Sequence, residues 1–249
     1  MQEILQRLVT MSNILGSDAY DCAILGEGNT SAKINQEFFL VKASGTQLRT
    51  ITEQGFLKVQ FAPILRALER ETLSDQEVKQ ILVGATVDNP DQRVPSVETF
   101  LHAIILSHKG VNYAGHTHPT AINSILCSNK AEEAVNGSLF PDQIVVLGSD
   151  PLYIPYTDPG FVLAKVIYQK FHQYIAHFGK APKVVYMQNH GFIAVGASDK
   201  EVLNITQMAV KTAKVILGTY LLGGPNFFSD ANVNRIENRP DEHYRRKVI

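Results

Sequence analysis

The 249-residue chain has only two cysteines, almost no net charge (−1) and no long uninterrupted run of apolar side chains. Each shortage removes a class of protein. Cys22 and Cys127 stand about a hundred residues apart without CxxC spacing, so neither a disulfide framework nor a thiolate zinc site is expected, and the compartment reads as reducing. With 23 Lys and Arg against 24 Asp and Glu, there is no basic footprint for a nucleic-acid backbone. No stretch approaches the ~18 apolar residues that span a bilayer. The opening MQEILQRLVTMSNILG shows acidic Glu3 and helically spaced apolar residues, not the basic start and small-residue cleavage site of a signal peptide. A cytoplasmic protein with neither a membrane nor a nucleic-acid partner is expected.

What is present is ordinary globular composition, 45% hydrophobic and 19% charged, enough to build one sizeable core. We read a single domain over 1–249, with a polar tail from about 224. After the first helix come the glycine-rich turn GEGNTS (26–31), a hairpin with strands at 32–34 and 38–41, and a second small-residue loop, ASGT (43–46). A strand is expected at 56–60, and helices at 62–69 and 75–85, the second capped by Ser74. Pro95-Ser96 is expected to open a helix reaching about His108, and 113–118 reads as a strand ending in His-Thr-His. Farther on, 144–147 reads as a strand and 160–174 as a helix. Strands at 184–188 and 193–196 bracket Asn189-His190-Gly191, and a last helix covers about 199–222. The irregular alternation with hairpin-like joins favours a mixed or antiparallel sheet covered by helices.

Residues two apart on a strand point to the same face, so His116 and His118 present two imidazoles side by side. Catalytic zinc usually takes three protein ligands and leaves a position open. His190, beside Gly191 at the end of a strand, is the best third candidate. Glu98 falls in the first turn expected after Ser96, where the helix dipole alone would favour a carboxylate. Glu98 and His102, four apart, also form a rival ExxxH metal pair. The GEGNTS and ASGT loops and Ser96 offer backbone N–H groups and hydroxyls of the kind that cradle phosphate, although GxGN matches neither common nucleotide-loop pattern.

The ordered set Gly28-Asn29-Thr30-Ser31, Ser44-Gly45-Thr46, Pro95-Ser96-Val97-Glu98, His116-Thr117-His118 and Gln188-Asn189-His190-Gly191 resembles the class II aldolase/adducin family. The phrases GNTSAKI, VKASGTQLRTIT, PSVETFLHA, GHTHPTAI and YTDPGFVLAK look most similar to the aldolase half of bifunctional rhamnulose-1-phosphate aldolase/dehydrogenases. The resemblance implies a three-layer α/β/α fold with a mainly antiparallel or mixed central sheet, and a homotetramer with active sites at subunit interfaces. It implies Zn2+, or another divalent ion such as Mn, Fe or Co, on His116, His118 and His190, with Glu98 as catalytic acid/base. Asn29, Thr30, Ser44, Gly45 and Ser96 would line a phosphate pocket. A tyrosine would supply a second proton; the candidates are Tyr113, Tyr153, Tyr156 and Tyr244, with Tyr244 carried forward beside Glu98. The implied reaction is cleavage of a ketose 1-phosphate of the rhamnulose, fuculose or deoxyribulose type. It proceeds through a zinc-stabilised enediolate to dihydroxyacetone phosphate and an aldehyde. A methylthioribulose-phosphate dehydratase or a sugar-acid phosphate decarboxylase would use the same scaffold. An adducin-like assembly module would lack the full metal set, which this chain keeps. One departure stands out: Val97 occupies the place of a second serine found in fuculose-phosphate aldolase-type members.

Overall fold

The computed structural model describes residues 1–242. Helix α1 (Gln2–Leu15) buries Leu8, Met11 and Leu15. Strands β1 (Asn29–Lys33) and β2 (Phe38–Lys42) form the hairpin. Its turn is held by Asn35, whose Oδ1 accepts the backbone N–H groups of Glu37 (2.8 Å) and Phe38 (2.9 Å), the local bonding that makes Asn a turn residue. Strand β3 (Phe56–Gln60), helices α2 (Phe61–Ala67) and α3 (Asp75–Gly84) and the two-residue β4 (Thr86–Val87) follow. Ser74 and Glu77 form a reciprocal capping box at the start of α3. Next are α4 (Thr99–Ser107), β5 (Tyr113–Thr117), α5 (Thr120–Leu126), α6 (Ala131–Asn136), α7 (Pro141–Leu147) and β6 (Leu152–Ile154). The chain continues through α8 (Phe161–Phe178), β7 (Val184–Met187), β8 (Gly191–Gly196), α9 (Asp199–Tyr220) and α10 (Asp230–Glu237).

The strands form one sheet in the order β4-β3-β2-β1-β5-β8-β7-β6. Every neighbouring pair is antiparallel except β6 with β7, so the sheet is mixed but mainly antiparallel. Alternation along the strands sorts side chains into two cores. Phe39, Val41, Ala114, Ile193 and Val195 meet α2, α3, α4 and α8. Ala32, Leu40, Tyr113, Phe192 and Ala194 meet α1, α5, α6 and α9. The result is the α/β/α sandwich. Phe100 of α4 packs edge-on against Phe161 of α8 at 5.5 Å, and it is fully buried. Cutting it to alanine should cost roughly 3–5 kcal/mol and loosen the helix that begins beside the site.

Three expectations are corrected. Residues 144–147 are not a strand but lie in α7, which starts with Pro141 in its first turn, a position where proline needs no donor. Ile144 and Val145 are buried against Ile236 of α10, and the strand in this region is β6 instead. A four-residue apolar run fits either element, and here packing decides. Secondly, no helix opens at Pro95-Ser96. Pro95 bridges Ala43 and the Ser96 N–H bonds the Lys42 carbonyl at 3.1 Å, so 94–96 continues the sheet edge and α4 begins only at Thr99. Thirdly, the region after 224 is not all a tail leaving the body. The Phe228 N–H bonds the Ser138 carbonyl at 2.8 Å, and α10 lies on α7.

Candidate metal centre

Strand β5 runs through the middle of the sheet, and its register sets the site. His116 pairs with Asn29 on β1 and with Ile193 on β8, and its side chain faces the α4 layer. His118 lies one residue beyond the strand, with its backbone N–H held by the Cys22 carbonyl at 2.8 Å. His190 comes from the turn between β7 and β8. Asn189 stands there at φ 54°, a left-handed conformation in which Asn is enriched. The Asn189 N–H bonds the Leu126 carbonyl, and Asn123 Nδ2 bonds the His190 carbonyl at 3.1 Å, so α5 buttresses this turn.

Ligand-competent atoms of His116, His118 and His190 lie within 4.8 Å of one another. His116 is wholly buried, and its Nδ1–H donates to the Phe192 carbonyl at 3.0 Å, which leaves a bare lone pair on Nε2. The Nε2 atoms of His118 and His116 are 3.0 Å apart. Two nitrogens each about 2.0–2.1 Å from a tetrahedral zinc would sit about 3.3 Å apart. Glu98, at the mouth of α4, places Oε2 3.3 Å from His116 Nε2 and Oε1 3.1 Å from His190 Nε2. Buried His190 Nδ1 has no hydrogen-bond partner among the described residues. The donor set fits a divalent metal. Burial pushes the His116 and His118 pKa values down to about 4, keeping both rings in the neutral form that ligates metals. Burial alone would push the Glu98 carboxyl up. The adjacent His116 and His190 and the Asn29 hydrogen bond outweigh it and hold the group well below the usual carboxylate range.

Glycine 191 is needed here for space. A Cβ on it would come within 2.6 Å of His118 Cδ2, 2.8 Å of the Thr117 carbonyl and 3.0 Å of His116 Cε1.

Asn29 orients Glu98. Its Nδ2 donates to Glu98 Oε2 at 2.5 Å and to Ser96 Oγ at 3.2 Å. Its Oδ1 accepts from His102 Nε2, so His102 Nδ1 is the acceptor for the Ser31 hydroxyl at 2.5 Å. His102 is therefore a fully buried relay, not a metal partner, and the ExxxH alternative is excluded. Its burial pushes its pKa down to about 4. The relay was missed in the sequence because its members lie on β1 and α4, about seventy residues apart.

The remaining candidates divide. Pairing of the Ser44 N–H with the Val94 carbonyl, and of the Ser96 N–H with the Lys42 carbonyl, sets Ser44 and Gly45 beside Ser96, on the edge next to Asn29. Thr30 is not brought there: its hydroxyl lies 2.6 Å from that of Ser12 on the α1 face, since neighbours on a strand point opposite ways. Tyr113 is buried on that same α1 face, as is most of Tyr153, so neither faces the histidines. Tyr156 is exposed, and its N–H is held by Gln188 Oε1 at 3.2 Å, just ahead of His190. Tyr244 lies outside the described residues. A cavity of 440 Å³ at the opposite end of the strands, lined by Lys109, Ser149, Asp150, Tyr174, Lys183 and Glu237 among others, contains none of these groups. Two of its lysines are paired, Lys183 with Glu201 at 3.2 Å and Lys180 with Glu237 at 3.4 Å.

The family description "Class II Aldolase and Adducin N-terminal domain" matches residues 6–217. The chain belongs to this family. Among curated proteins, this class II aldolase/adducin chain is 32% identical over 217 residues to "Uncharacterized oxidoreductase YuxG" of Bacillus subtilis (strain 168). The match covers 84% of this chain but spans only 29% of that relative's length. Among solved structures, the N-terminal class II aldolase domain of a conserved protein from Thermoplasma acidophilum is similar at 29% identity and TM-score 0.67, covering 86% of this chain and 93% of that one. L-fuculose 1-phosphate aldolase from Glaciozyma antarctica PI12 shares the fold at 16% identity and TM-score 0.68, covering 99% of this chain and 86% of that one. The three-layer architecture is thus the family's. The three histidines supply a possible divalent-metal site. Among the described residues, no helix is long and apolar enough to cross a membrane.

Proposed function

We propose that this chain is a zinc-dependent aldolase that splits a ketose 1-phosphate into dihydroxyacetone phosphate and a short aldehyde. One observation carries the reading: the buried Glu98 carboxylate lies 3.3 Å from His116 Nε2 and 3.1 Å from His190 Nε2, so a proton carrier faces the ion-binding cluster. Cleavage leaves negative charge beside the ketone, and a divalent ion on His116, His118 and His190 supplies Lewis-acid stabilisation of that charge. Glu98 Oε1 is the atom free to take or return the substrate proton. Asn29 keeps the carboxylate aimed by filling its other oxygen. The backbone N–H groups of the 44–46 loop and the Ser96 hydroxyl supply donors for the phosphate. Val97, 47% exposed, puts an apolar side chain where a second hydroxyl would stand, so this pocket has one phosphate donor fewer.

Exposed Ile24, Leu25, Val97 and Tyr156 belong to the segments that rim the site, as expected of a surface that meets another subunit. They support a homotetramer with interfacial active sites, in which the second proton donor is a tyrosine, Tyr244 being the residue carried forward. A panel of 1-phosphorylated ketoses and 5-deoxyketoses, coupled to detection of dihydroxyacetone phosphate, tests the activity. Release of water or of carbon dioxide in place of two carbon fragments would assign the site to a dehydratase or a decarboxylase. A protein that binds no divalent ion would instead point to an assembly module.

A further inference from the structure

A histidine that holds a metal through one ring nitrogen almost always gives its other N–H to a fixed acceptor, and losing that acceptor typically costs about 10–100-fold in metal affinity. For His116 the acceptor is the Phe192 carbonyl. His118 turns Nε2 toward His116 and Nδ1 the other way, where the Glu27 carboxylate stands with Oε1 at 3.9 Å. Among the described residues no other carboxylate pairs with His118. The second Glu27 oxygen, Oε2, accepts the Ile24 N–H at 3.0 Å.

The turn that carries Glu27 is fixed on both sides. Gly28, at φ +66°, presses its backbone so near the His116 carbonyl that a Cβ would meet it at 2.6 Å. Next to it, the Lys42 ammonium, in a residue only 3% exposed, donates to the Gly26 carbonyl at 3.1 Å. Burying a lysine disfavours its charge, and among the described residues this one forms no ion pair. Its hydrogen bond goes to the turn beside Glu27.

We propose that Glu27 is a positioning residue for the metal centre. Its carboxylate takes the Nδ1–H of His118, which fixes the ring's tautomer with Nε2 bare and strengthens that nitrogen as a donor. The assignment rests on the three-histidine metal reading. A movement of about 1 Å brings Oε1 into charge-assisted hydrogen-bond range. The Glu27 side chain, 37% exposed, has room for it.

The test uses the full chain, stripped of metal, as wild type, Glu27→Gln and Glu27→Asp. Each is titrated with Zn2+ against a fluorescent chelator, and separately with Co2+ while the visible d–d absorption is recorded. Glu27→Gln should bind Zn2+ about 10–100-fold more weakly and alter the Co2+ band shape. Glu27→Asp, which keeps the carboxylate, should recover part of the loss. Metal-free melting temperatures should match, because a half-exposed side chain has little part in folding. Zn2+ affinity within about twofold of wild type, with an unchanged Co2+ spectrum, overturns the role of Glu27 and leaves the metal centre standing. Weaker binding that tracks an equal loss of metal-free stability overturns it in favour of a folding role. Wild-type protein that takes up neither ion overturns the metal reading itself.

Discussion

Replacing Gly191 with alanine adds one methyl group, and the structure says where it must go. The new carbon would lie 2.6 Å from His118 Cδ2, 2.8 Å from the Thr117 carbonyl oxygen and 3.0 Å from His116 Cε1. The two rings can tilt, but the Thr117 carbonyl belongs to the central strand. Restoring ordinary contact needs shifts of roughly 0.5–1 Å, beyond the ~0.5 Å tolerance of a preorganised site. Forcing a methyl into such packing typically costs about 1–3 kcal/mol, or a melting temperature lower by roughly 2–12 °C for a chain of this size. The larger effect should fall on metal binding, because both displaced rings belong to the proposed metal site. Chelator competition for Zn2+ on the metal-free variant, with calorimetric melting alongside, measures the two effects separately. Wild-type Zn2+ affinity in Gly191→Ala would falsify the claim that this glycine holds the histidines in place.

Other outcomes are as specific. Glu98→Gln should keep its metal and lose about 10²–10⁴-fold in turnover, while a fully active variant would remove Glu98 from the chemistry. His118→Ala should lose metal and activity together, and full metal occupancy by elemental analysis would exclude it as a ligand. His102 and His108 are both pushed down to about 4 by burial, below the ordinary histidine value. The unfolded chain therefore binds more protons between about pH 6.5 and 4, so their contribution is present above about pH 6.5 and lost on acidification toward 4. The melting temperature of metal-free protein should fall over that window, and a flat profile would contradict neutral burial. Burial pushes the Cys22 thiol up to about 12, whereas Cys127 is exposed. A thiol reagent at pH 8 should modify one cysteine rapidly, and two equally fast equivalents would show that Cys22 is not shielded.

Much of the site was legible because its chemistry is written in short segments. The His-Thr-His triplet at a strand end, His190 beside Gly191, and Glu98 after Ser96 all came together in space. Their conjunction, more than any single motif, carried the family resemblance. The alternation of strands and helices pointed to a mixed or antiparallel sheet covered by helices, and the family resemblance supplied the three layers. What could not be read were facts fixed by distant partners. Thr30 has the right chemistry for an anion loop, yet Ser12 claims its hydroxyl. The sequence placed His102 near the core, with a metal pair to Glu98 as the rival reading, but it could not show that Asn29 and Ser31 fill both its nitrogens. Residues 144–147 suit a strand locally, yet as part of α7 they divide, Ile144 and Val145 facing α10 and Val146 and Leu147 facing the α1-side core. Gly191 could be read as a turn former, although its reason is the absence of a Cβ against two imidazoles.

The pairing of β5 with β8 joins two histidines of the proposed metal site on one strand end to the third in the turn that leads into the other. A slip of one residue along that ladder would carry His116 to the opposite face of the sheet, while leaving helix content and compactness nearly unchanged. If the three histidines hold a metal as proposed, affinity for that ion reads the register of the central ladder. A variant that looks folded by circular dichroism but has lost its metal, with all ligands intact, should be examined first for a shifted strand.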